Sequence, residues 1–238
     1  MPNDYFKFKQ FTIQQERCAM KVGTDAVLLG AWVNVAQSGQ ILDIGSGSGI
    51  ISLMLAQRTN ATIEGVEIDK DAYLQSIENA AKSPWRERIF FQNNSFQNFC
   101  LNNKSQYNLI VSNPPYFVNS LKSDNINRNI ARHNDSLTFE DIIEGVSQLL
   151  APTGRFALIL PYKEGCIFIA EAVKQSLFCI RKTNIKPKPN SSISRLLLEF
   201  HQLPAPCNED FLVIGTGEID KYSDKYIELT KDFYLTER

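Results

Sequence analysis

A chain of 238 residues with 43% hydrophobic content is long enough for one large α/β domain and too short for a second of full size. Its 25 Lys and Arg against 26 Asp and Glu leave a net charge of -1, which excludes a global field that draws polyanions, so a nucleic-acid partner requires a local basic face. The five cysteines, Cys18, Cys100, Cys166, Cys179 and Cys207, lack the paired spacing that binds zinc or does dithiol chemistry, so they read as buried small apolar residues of a reducing compartment and no metal is expected.

The first residues scatter charge among Phe6, Phe8 and Phe11 without a continuous apolar run, so no signal peptide is expected, and no stretch approaches the roughly 20 apolar residues of a membrane helix. A cytoplasmic protein with no membrane partner and no evident obligate protein partner is the expectation. Phe6 to Ile13 suggests an extended segment, and Thr24 or Asp25 is placed to cap a helix carrying Val27, Leu28 and Trp32. From Ile41 onward, short apolar runs alternate with amphipathic stretches, the pattern of a parallel sheet wrapped by helices. Strands are predicted at Ile41–Ile44, Thr62–Glu67, Ile89–Phe91, Asn108–Val111, Phe156–Leu160, Cys179–Ile185 and Arg195–Phe200, which makes seven. Helices are predicted at Ile50–Gln57, Asp71–Lys82 (stopped by Ser83-Pro84), Asp141–Leu150 (closed by Pro152-Thr153-Gly154) and Cys166–Ser176. A short strand at Phe211–Ile214 and a helix at Asp224–Tyr234 end the chain. The whole of 1–238 reads as a single domain with an N-terminal extension at 1–39 and a C-terminal strand-helix addition at 207–238. The polar stretch from Phe117 to Ser136 has no clear period, and loops of that length inside a domain are usually lids or disordered.

The strand Ile41-Leu42-Asp43-Ile44 runs into Gly45-Ser46-Gly47-Ser48-Gly49 and then a helix. Glycines let the backbone turn sharply and approach a ligand, and the helix start offers unpaired N–H groups that suit a carboxylate or a phosphate equally. Dinucleotide folds space their glycines as G-x-G-x-x-G; here they alternate as G-x-G-x-G after an Asp, which favours a nucleoside bearing an amino acid, with Asp43 taking its ammonium group directly or through water. Glu67, at the end of the next strand and followed by Ile68, is placed to accept both hydroxyls of a ribose, and no Arg nearby favours a 2'-phosphate. These features recur together in enzymes that use S-adenosylmethionine.

The strand Leu109-Ile110-Val111 leads through Ser112 to Asn113-Pro114-Pro115-Tyr116. Ligands of open parallel sheets sit at the carboxyl ends of strands, so this tetrapeptide should face the same crevice as the glycine loop, with Asn113 also close to the cofactor. A Pro-Pro pair is in most proteins only a stiff turn; here it fixes φ and leaves carbonyls aimed at a ligand. The lone pair of an adenine or amide nitrogen is delocalised. Hydrogen bonds from its two N–H groups to the Asn113 side-chain oxygen and the Pro114 carbonyl aim that lone pair and stabilise the charge that develops on nitrogen. Tyr116 would stack on the planar group, worth roughly 1 to 3 kcal/mol for a nucleobase.

Asp43-Ile-Gly45-Ser-Gly47-Ser-Gly49 with Asn113-Pro-Pro-Tyr116 resembles the amino-methyltransferases of the seven-stranded Rossmann-like class, which methylate adenine, guanine or glutamine. The segment from Arg17 through Lys21, Thr24 and Asp25 to Trp32 resembles more narrowly the bacterial tRNA1(Val) adenosine-37 N6-methyltransferases. Ser83-Pro-Trp85, Lys186-Pro-Lys-Pro189 and Asp232-Phe-Tyr-Leu235 extend the likeness over nearly the whole chain. The resemblance implies a doubly wound, mostly parallel sheet with one antiparallel strand, S-adenosylmethionine as cofactor, and the N6 amine of an anticodon-loop adenosine as acceptor. It places Thr24 and Asp25 beside the methionine end of the cofactor and the target base on Asn113 to Tyr116. Where such enzymes often carry an Asp for the cofactor's adenine amino group, this chain has Asn93-Asn94-Ser95-Phe96, which leaves Ser95 or Asn94 as acceptor and Phe96 to pack on the ring.

For tRNA, the candidate contacts are Lys21, Arg128, Arg132, His133, Lys186 and Lys188, with Lys7, Lys9, Arg17, Arg181 and Lys182 as further cations. The stiff Lys-Pro-Lys-Pro run displays its ammonium groups to a phosphate track. Competing readings keep the chemistry and change the acceptor: a release-factor glutamine at N5, or a ribosomal RNA base. A cofactor-fold protein without catalysis and a dinucleotide oxidoreductase are the readings that depart from it.

Overall fold

The computed structural model describes residues 3–35, 39–115, 137–219 and 221–235. The expected extended N-terminal segment is a hairpin of β1 (Tyr5–Lys7) and β2 (Thr12–Gln14), paired antiparallel and closed where the Phe8 N–H donates to the Phe11 carbonyl at 2.8 Å. Its Phe8 ring stacks on Phe11 and on Tyr234, which fastens the start of the chain to its end. Helix α1 (Thr24–Trp32) follows, with Ala26 through Trp32 all buried. Its cap is Gly23, one residue ahead of the expected position, and it makes no side-chain capping bond; Asp25 instead pairs with Arg195 at 2.9 Å.

Then come β3 (Gln40–Ile44), α2 (Ile50–Arg58), β4 (Thr62–Glu67), α3 (Lys70–Ala81), β5 (Ile89–Asn93), α4 (Phe96–Asn102) and β6 (Tyr107–Ser112). They are followed by α5 (Phe139–Leu149), β7 (Leu150–Pro161), α6 (Tyr162–Ala172), β8 (Phe178–Lys186), β9 (Arg195–His201), β10 (Asn208–Val213) and α7 (Asp224–Thr230). The strands from β3 on form one sheet in the order β10-β8-β9-β7-β6-β3-β4-β5, and β9 alone runs antiparallel to its neighbours. The seven expected core strands and the single reversed strand are all present. The short strand expected near Phe211 joins them as an eighth, parallel to β8.

Strand periodicity divides the core between the two faces of the sheet. Ile41, Leu109, Val111, Ala157 and Ile159 point to the layer of α1, α2 and the two chain ends. Leu42, Ile110, Phe156, Leu158 and Leu160 point to the layer of α4, α5 and α6, where Phe156, Phe168 and Phe200 meet with centroids 5.5 to 6.0 Å apart. Two glycines set how closely helices approach: a Cβ on Gly30 of α1 would lie 2.7 Å from the Met54 sulfur of α2, and one on Gly145 of α5 would lie 2.5 Å from the Phe96 ring.

Helix α4 was not expected; Ser95 caps it by accepting from the Asn98 N–H at 3.2 Å. Strand β7 starts at Leu150 and passes through the Pro152-Thr153-Gly154 expected to close the preceding helix, with a shifted register against β6. Helix α6 starts four residues before the predicted Cys166, straight after Pro161, whose fixed φ suits a helix entry without a capping side chain. The cysteine expectation holds for buried Cys18 and Cys100 only: Cys166 and Cys207 are exposed and Cys179 is half-buried. Among the described residues, no helix is long and apolar enough to cross a membrane, and no three His, Cys, Asp or Glu are grouped to hold a metal ion.

Candidate active site

Strands β3, β4, β5 and β6 end on one edge of the sheet, and Asp43, Glu67, Ile68, Asn94, Ser95 and Asn113 sit at or beside those ends. Parallel pairing places Asp43 beside Val111 and Ile44 beside Ser112, and the Ser112 hydroxyl donates to the Ile44 carbonyl at 3.0 Å. The glycine loop and Asn113 are therefore held side by side by a ladder and a buried hydrogen bond. Asn113 is half-buried, Pro114 buried and Pro115 exposed; Tyr116 lies outside the described residues, as do Arg128, Arg132, His133 and the stretch Phe117 to Ser136.

Gly45, Gly47 and Gly49 all have positive φ, at 69°, 53° and 80°, which only glycine adopts without strain. Among the described residues, a Cβ on Gly45 or Gly47 would meet nothing within 4 Å, whereas one on Gly49 would lie 2.9 Å from the Phe91 ring. The first two glycines thus leave open space over the loop, and the third permits close packing beneath it. The loop is anchored from below by residues that motif reasoning missed. The buried Asn79 side chain of α3 donates to the Ser48 and Gln14 carbonyls at 2.9 Å each, tying the loop to the N-terminal hairpin.

Asp43 is 0% exposed. Its Oδ2 accepts from the Ser52 N–H at 3.1 Å and the Ser52 hydroxyl at 2.7 Å, while Oδ1 has no partner among the described residues. Burial pushes its carboxyl up to about 7, against the two bonds from Ser52 and with some help from Glu67. Ser52 was overlooked, yet it is the one polar residue in the run Ile50-Ile-Ser-Leu-Met-Leu55, and a polar residue within a buried helix implies a partner. Glu67 Oε2 accepts from the Gly47 N–H at 2.7 Å and Oε1 from the Asp69 N–H at 2.9 Å. A carboxylate has about four acceptor sites, so each oxygen keeps capacity for a further donor.

Beyond Glu67, Ile68 is 53% exposed, an apolar side chain presented at the end of β4. The Asn93 amide donates to the Glu67 and Ile68 carbonyls at 2.9 and 3.0 Å, and the Asn94 N–H to the Glu67 carbonyl at 3.1 Å, which positions half-buried Asn94 and Ser95 beside that end. The Phe96 ring does not lie open there; it is buried against Gly145 and the α5 layer, which corrects its expected place on the cofactor's adenine.

Thr24 and Asp25 line a cleft of about 450 Å³ with Leu28, Pro187, Arg195 and Tyr222. It lies on the same sheet edge, above the ends of β8 and β10 and the start of β9. Asp25 there accepts from Arg195, 170 residues away. Among the cations, Lys188 is exposed and Lys186 half-buried at the end of β8. The Lys21 ammonium donates to the Gln15 carbonyl at 2.5 Å and so braces the segment ahead of α1. Arg181 lies 3.9 Å over the Trp32 ring and Lys182 pairs with Glu209 at 2.9 Å, so both are tied into the fold in the first half of β8.

The cofactor implied by the resemblance joins an ammonium-bearing amino acid to a nucleoside, and the residues present fit it. Among the described residues, a buried carboxylate oxygen lacks a partner, open space lies over Gly45 and Gly47, and an acceptor carboxylate stands one strand away.

Comparison with known proteins agrees with this geometry. The methyltransferase small domain family matches residues 18–176. The chain is 47% identical over 236 residues to a protein of Phocaeicola vulgatus and 44% identical over 236 residues to one of Bacteroides fragilis, covering 99% of both chains in each case. Both relatives carry the name tRNA1(Val) (adenine(37)-N6)-methyltransferase. Among solved structures, a protein described as a predicted O-methyltransferase from Agrobacterium tumefaciens superposes with a TM-score of 0.66 at 19% identity, over 88% of this chain and 96% of that one, which establishes the shared fold. With near-complete coverage at this identity, the chain belongs to the tRNA1(Val) (adenine(37)-N6)-methyltransferase family within the methyltransferase small domains.

Proposed function

We propose that this protein transfers a methyl group from S-adenosylmethionine to the exocyclic N6 amine of adenosine 37 in the anticodon loop of tRNA1(Val), in the cytoplasm. The observation that carries the chemistry is the placement of Asn113 directly beside the Asp43–Gly49 loop, held by the Ser112–Ile44 bond. Full-length relatives with this name carry the substrate.

S-adenosylmethionine supplies, when bound, an electrophilic methyl group on a sulfonium centre. Asp43 holds the ammonium of its amino-acid end, Thr24 and Asp25 stand at that end, and the Cβ-free surface of Gly45 and Gly47 lets its backbone approach the loop. Glu67 accepts the ribose hydroxyls, Ile68 packs on the adenine, and Ser95 or Asn94 accepts from the adenine amine. At the acceptor, the Asn113 side-chain oxygen and the Pro114 carbonyl take the two N6 hydrogens and aim the nitrogen lone pair. Pro115 keeps that segment stiff, and Tyr116 stacks on the base. No strong base is needed, because the proton leaves a nitrogen that has become cationic. Lys186 and Lys188, with Arg128, Arg132 and His133, hold the tRNA backbone, and an unpaired anticodon-loop base enters the pocket at less cost than a base flipped from a duplex.

The deciding experiment incubates the protein with unmodified total tRNA and labelled S-adenosylmethionine, then identifies the methylated nucleoside and its tRNA by mass spectrometry. N6-methyladenosine at position 37 of tRNA1(Val) is expected. Label only in a release-factor peptide or in ribosomal RNA, offered in parallel, overturns the assignment.

A further inference from the structure

One pair of side chains outside the crevice has a chemistry of its own. Cys179, in β8, and Cys207, immediately before β10, are 28 positions apart in sequence, yet their sulfurs lie 3.7 Å apart. Strand pairing is the cause: β10 runs parallel to β8 with Asn208 opposite Arg181, which brings the residue before β10 to the start of β8. The remaining cysteines are elsewhere, Cys18 and Cys100 buried and Cys166 exposed on α6. Two thiols this close, one open to solvent and one half-buried, make an attacking and a resolving partner.

We propose that Cys179 and Cys207 are a reversible thiol-oxidation site that takes a small disulfide of the glutathione type as its oxidant. The exposed Cys207 thiolate attacks one sulfur of the small disulfide, breaking that S–S bond, releasing one small thiolate and leaving a mixed disulfide on Cys207. The Cys179 thiol then loses its proton and attacks the Cys207 sulfur, which forms the protein disulfide and expels the second small thiol. Two electrons pass from the cysteine pair to the oxidant, and a dithiol reverses the step. The order of attack follows from the surroundings. Burial, with Cys207 beside it, pushes the Cys179 thiol up to about 12, so it is protonated at neutral pH and acts second.

The bond would tie the start of edge strand β10 to β8. The far ends of the same two strands are already joined where the Ile214 N–H donates to the Lys186 carbonyl and the Gly215 N–H to the Pro187 carbonyl, each at 2.9 Å. Oxidation therefore closes the strand pair at both ends, beneath the Lys186–Pro189 run.

The test treats the intact protein with oxidised glutathione and maps peptides without reduction. Expected are a Cys179–Cys207 cross-linked peptide, a fall in free thiols from five to three, recovery with dithiothreitol, and a melting temperature raised by roughly 5 °C. Cys207→Ser, an exposed and structurally mild change, should abolish the cross-link, and Cys166→Ser should leave it intact. Glutathione that stays on Cys207, links between molecules through Cys166, or no loss of thiols would each overturn the proposal.

Discussion

On the role proposed for Asp43, holding the cofactor's ammonium group, cofactor affinity should depend on pH in a direction set by the burial of this residue. Its carboxyl is pushed up to about 7 chiefly by burial, and its Oδ1 lacks a partner among the described residues. An ammonium group binds the carboxylate and not the acid, so below pH 7 binding must first displace a proton. Each pH unit below that point costs about a factor of ten, or about 1.4 kcal/mol. S-adenosylhomocysteine, whose ammonium stays charged throughout this range, should therefore bind roughly 100-fold more weakly at pH 5 than at pH 8, with close to one proton released per molecule bound at pH 6. Isothermal titration calorimetry in buffers of different ionisation enthalpy measures both quantities. Asp43→Asn should bind weakly at every pH and lose the slope. An affinity flat from pH 8 to pH 5, or an Asn variant that keeps the parent slope, would refute the reasoning. The ligand-free protein should show the opposite trend. A folded carboxyl value above the unfolded one near 4 gives stability that is present below pH 4 and lost as pH rises to 7. The thermal shift produced by the ligand should consequently be larger at pH 8 than at pH 6.

Other expectations follow from the same geometry. Asn113→Ala should lower kcat on tRNA by roughly 10²- to 10³-fold with a far smaller change in S-adenosylhomocysteine affinity, since the lost acceptor serves the developing charge; parent-like turnover in a single-turnover assay would sink that role. Ser52→Ala removes the hydroxyl bond to Asp43 Oδ2, leaves the one from the backbone N–H, and should move the midpoint of the pH profile upward, as calorimetry would show. Lys186→Ala with Lys188→Ala should weaken tRNA binding and reduce the slope of log affinity against log salt by roughly 1 to 2; an unchanged slope in a filter-binding titration would remove these lysines from the RNA track. Gly30→Val should destabilise by roughly 1 to 3 kcal/mol in urea unfolding, because the new Cβ falls 2.7 Å from the Met54 sulfur.

What could be foreseen from the chain was whatever depends on neighbours in sequence. Buried strands are short apolar runs, so β3, β4, β6 and β9 are legible in the sequence. A glycine at positive φ followed by a helix start is equally local, so the sharp turn at Gly45, Gly47 and Gly49 was recognisable. The errors have physical causes of the same kind. Helix α4 is only seven residues long and two of its seven positions are Asn, so its periodicity is too brief to register, and Ser95 looked like a ligand group when it is also the helix cap. Helix α6 begins on a proline with no capping side chain, and the apolar residues that follow pointed to a later start. The parts of the site that were invisible are those set by long-range pairing. Asn79 reaches the glycine loop from α3, Arg195 meets Asp25 across the sheet edge, and Cys207 meets Cys179 through the parallel docking of β10. Each is a polar or thiol group whose partner is chosen by strand order, and strand order cannot be read from spacing. Ser52 falls between the two classes: its burial among apolar neighbours signals a partner, but only the turn of the loop shows that the partner is Asp43. The chemistry proposed for this site is therefore written locally, in Asp43, Glu67 and Asn113, whereas the raised pKa of Asp43 comes from burial that only the assembled sheet provides.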